Sequence, residues 1–265
     1  MQKENLIIGA IAGDIIGSVY EWHNTKTIDF DLFCLKSTFT DDSVLTVATM
    51  DALLNHKCYT ETYQSFGQKY FGKGYGPHFS SWIHSTDPKP YNSWGNGSAM
   101  RVSPVGWFGN SLDEVMAEAK RSAEVTHNHL EGIKGAQATA SAIYLARTGK
   151  TKDEIKKFIM DTFFYDLDRK IDDIRPNYEF DVSCQGSVPE AIIAFLESTD
   201  FENSIRLAIS IGGDSDTIAC ITGGIAEAYY QTIPEHIVEN ILTILPDELM
   251  EIVKIFSSKY RTDTK

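Results

Sequence analysis

Two stretches of this chain are apolar on almost every face of a helix and carry residues too small to hold a neighbour away. Leu6 to Tyr20 intersperses Gly9, Ala10, Ala12, Gly13 and Gly17, and Asp216 to Tyr230 repeats that character with Ala219, Gly223, Gly224, Ala226 and Ala228. A helix that is apolar all round has to be buried, and its glycines and alanines let another backbone come close. Val44 to Leu54 and Ile133 to Ala146 add apolar residues at helical spacing. Sustained period-2 alternation is nearly absent, so the expected fold class is all-α. At 265 residues the chain is long enough for one sizeable core, and one domain over 1–265 is expected.

Local signals mark where helices begin. Ser111-Leu112-Asp113-Glu114 and Thr151-Lys152-Asp153-Glu154 both fit the capping box, in which a hydroxyl and a carboxylate satisfy free amides reciprocally. Pro234 fits the first position of a helix, and Pro246 divides the last two. Trp22 to Thr38 and Gly72 to Trp94 lack helical periodicity; the second, rich in Gly, Pro, His, Trp and Tyr, is expected to be an ordered binding loop. Cys184 to Pro189 is expected to be a loop leading into a helix.

Composition narrows the function classes. A net charge of −13 with no basic stripe argues against nucleic-acid binding. No run of eighteen apolar residues suggests a membrane span, and Met1-Gln2-Lys3-Glu4-Asn5 lacks the pattern of a secretory signal, so a cytoplasmic location is expected. Cys34, Cys58, Cys184 and Cys220 are scattered without ligand spacing and are expected to be free thiols.

Two acidic clusters point to chemistry. Thr40-Asp41-Asp42-Ser43 and Gly212-Gly213-Asp214-Ser215-Asp216-Thr217 each open an apolar helix. One acid at a helix N-terminus caps free amides and opposes the positive end of the dipole. A second acid beside it adds repulsion and little stability, so both clusters together favour a metal site. Carboxylates and hydroxyls are hard oxygen donors suited to Mg²⁺ or Mn²⁺, and no His or Cys falls beside them to favour zinc. Glu21 is expected to end the first helix, either as an exposed acid or as a general base or further ligand. Asp14, among apolar residues, is expected to be a buried structural carboxylate.

Gly72 to Pro77 and Ser93 to Ser98 are glycine-dense, so their amides can approach a ligand, yet neither matches a P-loop or dinucleotide fingerprint. Tyr75, Trp94 and His127 are aromatic rings that can stack on a base, close over a sugar, or simply fill a core. Ser43 and Ser187 have no recognisable base partner, which sets aside a serine hydrolase.

Taken in order, these residues resemble the ADP-ribosylglycohydrolase family. The resemblance is carried by Gly13-Asp14-x-x-Gly17-Ser18-x-Tyr20-Glu21, Thr40-Asp41-Asp42, Gly74-Tyr75-Gly76 and Gly95 to Arg101. Thr126-His127, Ser187-Val188-Pro189 and Gly212 to Thr217 follow. It implies an orthogonal helical bundle with two Mg²⁺ or Mn²⁺ ions. It implies Thr40, Asp41, Asp42, Asp214, Asp216 and Thr217 as metal ligands. Glu21 would serve in catalysis with Asp41, Asp42 and Asp214. Ser93, Trp94, Gly95, Asn96, Gly97, Ser98 and His127 would hold the diphosphate and ribose of ADP-ribose, with Gly74, Tyr75 and Gly76 nearby. The expected reaction is hydrolysis of the bond joining ADP-ribose to a protein side chain. The chain's partners would then be an ADP-ribosylated protein and the ADP-ribose product, and it is expected to be a monomer. The alternatives are a pyrophosphatase acting on ADP-ribose derivatives and a module that binds ADP-ribose without turnover.

Overall fold

The structure, a computed structural model, describes residues 6–261 and is helical throughout. The first helices are α1 (Gly9–Gly17), α2 (Asp41–Asn55), α3 (Tyr59–Lys69), α4 (Pro77–Trp82), α5 (Gly97–Met100) and α6 (Ser103–Phe108). Next come α7 (Leu112–Glu124), α8 (Leu130–Arg147), α9 (Lys152–Phe163), α10 (Ile171–Ile174) and α11 (Cys184–Glu197). The chain ends with α12 (Phe201–Ile211), α13 (Ser215–Tyr230), α14 (Glu235–Ile244) and α15 (Asp247–Tyr260). Among the described residues the β pairing recorded is an isolated antiparallel bridge between Gly95 and Ser183. No helix is long and apolar enough to cross a membrane.

The centre of the fold is the pair α1 and α13, the two small-residue stretches. Three glycines in a nine-residue helix cost about 1 kcal/mol each relative to alanine, and so short a helix is marginal alone. Packing supplies what propensity withholds, because every residue of α1 is buried. A Cβ on Gly13 would lie 2.0 Å from the Ala219 carbonyl oxygen, so the two backbones meet directly. Gly9 meets Gly223 and Gly17 meets Asp216, so the helices run antiparallel. This brings the end of α1, with Asp14, to the acidic start of α13. Helices α8, α11 and α12 pack around α13, and α2 lies against α1.

Several local expectations change. Helix α1 stops at Gly17, and Glu21 sits in the bend beyond it rather than at a helix end. The 72–94 stretch contains α4, started by Pro77 at its first position. Cys184 to Pro189 is already helix: the Ser183 hydroxyl accepts from the Gly186 N–H at 3.1 Å and starts α11, which carries Pro189 inside it. The Thr151 capping box is complete. At Ser111 only half forms, because the Glu114 carboxylate accepts from the Asn110 N–H at 2.8 Å. Pro234 is the cap of α14 rather than its first residue. All four cysteines are free.

Candidate active site

Helices α2 and α13 both start at the floor of one cavity of about 670 Å³, and both begin with the acids seen in the sequence. Their N-termini present positive dipole ends, which favour negative charge there. Two sets of carboxylate oxygens converge, each set within 4.8 Å: Asp14, Asp42 and Asp216, then Glu21, Asp214 and Asp216. Asp216 belongs to both. Asp41 belongs to neither, although it lines the same cavity.

The acids differ in how they are satisfied. Asp14 is fully buried and accepts from the Thr40 N–H (3.0 Å), the Thr40 hydroxyl (2.6 Å), the Ser43 N–H (3.1 Å) and the Ser43 hydroxyl. That matches the structural carboxylate expected of it, tying α1 to the first turn of α2. Asp214 accepts from the Asn96 side-chain amide at 2.6 Å, and Asn96 also reaches the Ser187 hydroxyl at 3.0 Å. The Thr217 hydroxyl donates to Asp42 Oδ2 at 3.3 Å, while buried Asp42 Oδ1 has no hydrogen-bond partner among the described residues. Among the described residues, none of these aspartates is paired with a cationic side chain.

Uncompensated charge shows in the proton affinities. Burial raises Asp42 well above the ordinary carboxylate value, and Asp14, Asp41 and Asp214 add to it. Asp216 is raised well above that value by burial and then Asp42 and Asp214, and Asp41 by burial and then Asp14 and Asp214. Half-buried Glu21 is pushed up to about 7, first by burial and then by Asp214. A cluster of hard oxygen donors, one of them an orphaned buried oxygen, with excess negative charge and no protein cation, fits a divalent cation.

The rest of the cavity wall comes from the two glycine-rich segments. The Asp41 N–H donates to the Lys73 carbonyl at 2.7 Å, and Gly74 has φ +110°. The positive φ favours glycine at Gly74, and a Cβ there would lie 2.7 Å from Asp41 Oδ1 and push that carboxylate aside. Tyr75 and Gly76 follow along the wall. Ser93, Trp94, Gly95, Asn96 and Gly97 line the same cavity, with His127 beside the two glycines. Ser98 does not join them. Its hydroxyl donates to the Gly132 carbonyl at 2.7 Å in the core, because the single turn of α5 rotates it away. Its hydroxyl therefore lies away from the cavity.

Sequence reasoning missed three groups. Asn24 clamps the Glu21 bend: its side-chain amide donates to the carbonyls of Tyr20, Glu21 and Gly213, and its oxygen accepts from the Gly213 N–H. Trp22 is 72% exposed and stacks on Phe180 at 5.1 Å across the mouth. Buried Arg101 also lines the cavity. Only Arg101 stood inside a recognised motif, at its last position.

An all-α bundle with a carboxylate-floored cavity is the class that fold and site define. A model of the ADP-ribosylglycohydrolase family matches residues 4–264, and the chain belongs to that family. It is 27% identical to human ADP-ribosylhydrolase ARH3 over 311 aligned positions, covering 86% of each chain. It is 29% identical to ADP-ribosylarginine hydrolase Tri1 of Pseudomonas putida, over 56% of this chain and 41% of that one. A solved ADP-ribosylglycohydrolase-related protein complex shares the fold with a TM-score of 0.75 at 21% identity, covering 98% of this chain and 96% of that one.

Proposed function

We propose that the protein hydrolyses the glycosidic bond joining ADP-ribose to an arginine or serine side chain of a modified protein. The observation that carries this is Glu21. It stands beside Asp214 and Asp216 at the edge of a metal-competent carboxylate floor, half-buried and lining the cavity where a water and a sugar would meet. Asp42, Asp214 and Asp216, with Asp41 and the hydroxyls of Thr40 and Thr217, would hold two Mg²⁺ or Mn²⁺ ions. Such ions, when bound, supply Lewis acidity and lower the pKa of water.

The chain's own residues do the rest. The Gly95–Gly97 turn and His127 receive the diphosphate, giving an acidic protein one local place for an anion. Asn96 fixes the rotamer of Asp214 through the 2.6 Å bond, and Asn24 fixes the backbone that carries Glu21. Glu21 takes the proton of the attacking water as the bond to the acceptor breaks and the distal ribose gains oxocarbenium character. The water oxygen ends on the ribose, and the freed acceptor atom takes up a proton, from Glu21 or from solvent. Tyr75 and Trp94 both line the cavity and would limit solvent around the sugar.

The test is incubation with Mg²⁺ and peptides bearing ADP-ribosyl-arginine or ADP-ribosyl-serine, followed by product analysis. ADP-ribose should be released from at least one peptide and lost in Asp214→Asn or with EDTA. AMP as the product would replace the reading with a pyrophosphatase, and tight binding without product would replace it with a binding module.

A further inference from the structure

Arg101 is fully buried, and its guanidinium lies 4.2 Å from the centre of the Tyr63 ring. Nη2 donates to the Ser122 carbonyl at 3.0 Å and to Thr126 Oγ1 at 2.8 Å. The Thr126 hydroxyl is in turn 2.7 Å from His127 Nδ1. A guanidinium has only donors, so Thr126 Oγ1 accepts from it and keeps its own proton to give. A bare Nδ1 receives that proton and turns the negative end of the imidazole toward Arg101. The opposite tautomer would point an N–H at an oxygen already accepting from a cation. The Tyr91 hydroxyl, also close to Thr126, both donates and accepts and adapts to either case.

At the other side of the ring, Nε2 has no protein partner among the described residues. It lies 3.2 Å from where a Cβ on Gly97 would stand, and His127 lines the cavity. We propose that Arg101 and Thr126 are positioning residues that hold His127 as the Nε2–H tautomer, so that its free N–H is offered to an anionic oxygen seated on the Gly95–Gly97 turn. Identifying that anion as a diphosphate rests on the function proposed above; the tautomer does not. Burial and then Arg101 also push the His127 pKa well below 6.5, so the ring stays neutral. Its cavity-facing nitrogen is a donor and takes no proton from a ligand, which leaves that task to Glu21.

The experiment is a long-range ¹H–¹⁵N correlation on histidine-labelled, ligand-free protein near neutral pH, with the His127 signals assigned by their loss in His127→Asn. The expected pattern is protonated Nε2 and bare Nδ1. Thr126→Val should give a mixture of tautomers and weaken calorimetric ADP-ribose binding about tenfold, and Thr126→Ser should restore both. Protonated Nδ1 in the wild type, or Thr126→Val changing neither readout, overturns the proposal. Should Thr126→Val not fold, wild type and Thr126→Ser decide: both must show Nε2–H, and a bare Nε2 in either overturns it. A wild type with the expected tautomer that binds no ADP-ribose retains the positioning role and removes the functional reading instead.

Discussion

At one end of the α1–α13 pair, Glu227 is fully buried and Arg261 meets it at 2.7 Å, while the N–H groups of Ile8 (3.2 Å) and Gly9 (2.6 Å) complete its bonding. At the other end, Asp42, Asp214 and Asp216 are buried together, and among the described residues no cationic side chain pairs with them and Asp42 Oδ1 has no hydrogen-bond partner. Helix α13 carries Glu227 near one end and Asp214 and Asp216 at the other, so one helix serves both sites. Glu227 comes with its counter-charge; Asp42, Asp214 and Asp216 have no cationic side chain beside them among the described residues, at the floor of a cavity. The first end fastens the helices, and the second leaves a cluster of acids that could hold a cation.

The largest effect should come from breaking the uncompensated end. Asp216 belongs to both convergent sets, so Asp216→Asn should lower ADP-ribose release by more than about a hundredfold, because even outer partners of metal ligands cost about 10–100-fold. The same variant should melt higher than wild type in EDTA, since one repelled carboxylate is gone. Differential scanning calorimetry beside a release assay reads both. Breaking the compensated end should do the reverse. Glu227→Gln strands Arg261 and should destabilise the protein by about 3–5 kcal/mol in urea titration, with turnover per folded molecule unchanged.

The two ends should also separate by pH. The acids at the cavity floor have folded-state pKa values raised above 3.8, and Glu21 reaches about 7 from 4.5. The folded chain then holds protons that the unfolded chain has released. Metal-free stability should therefore be greatest at low pH within this window and fall as pH rises from about 4 through about 7. A divalent cation removes that penalty, so its increase in Tm should be larger near pH 8 than near pH 5; an increment that shrinks with pH contradicts the assignment. The smallest effect concerns the rim. Trp22→Ala loses the stack on Phe180, worth about 0.5–1.5 kcal/mol, and should raise KM a few-fold while lowering Tm by only about 1–4 °C.

Much of this contrast was legible in the sequence. Paired acids at two helix starts, and small residues along α1 and α13, are local signals whose physics does not depend on distant partners. The site details that escaped depend on rotation or on long-range contact. Ser98 belongs to a glycine-rich motif, yet one turn of α5 sends its hydroxyl to Gly132. Helix α4 hides in aromatic, proline-containing sequence because its six residues are too few to establish a period. Asn24 and Gly213 lie far apart in the chain, and nothing near either one announces the clamp between them. Arg101 was visible as a motif residue, but its work on Thr126 appears only once α7 has brought the Thr126-His127 turn over it.

The central claim is that the acids at the start of α2 and α13 form a binuclear cation site. Crystals soaked in Mn²⁺ and measured at an energy where manganese scatters anomalously test it directly. The expected map has two anomalous peaks, both bounded by Asp216, one also by Asp42 and the other also by Asp214. Saturating Mn²⁺ with no peak beside these carboxylates contradicts the account.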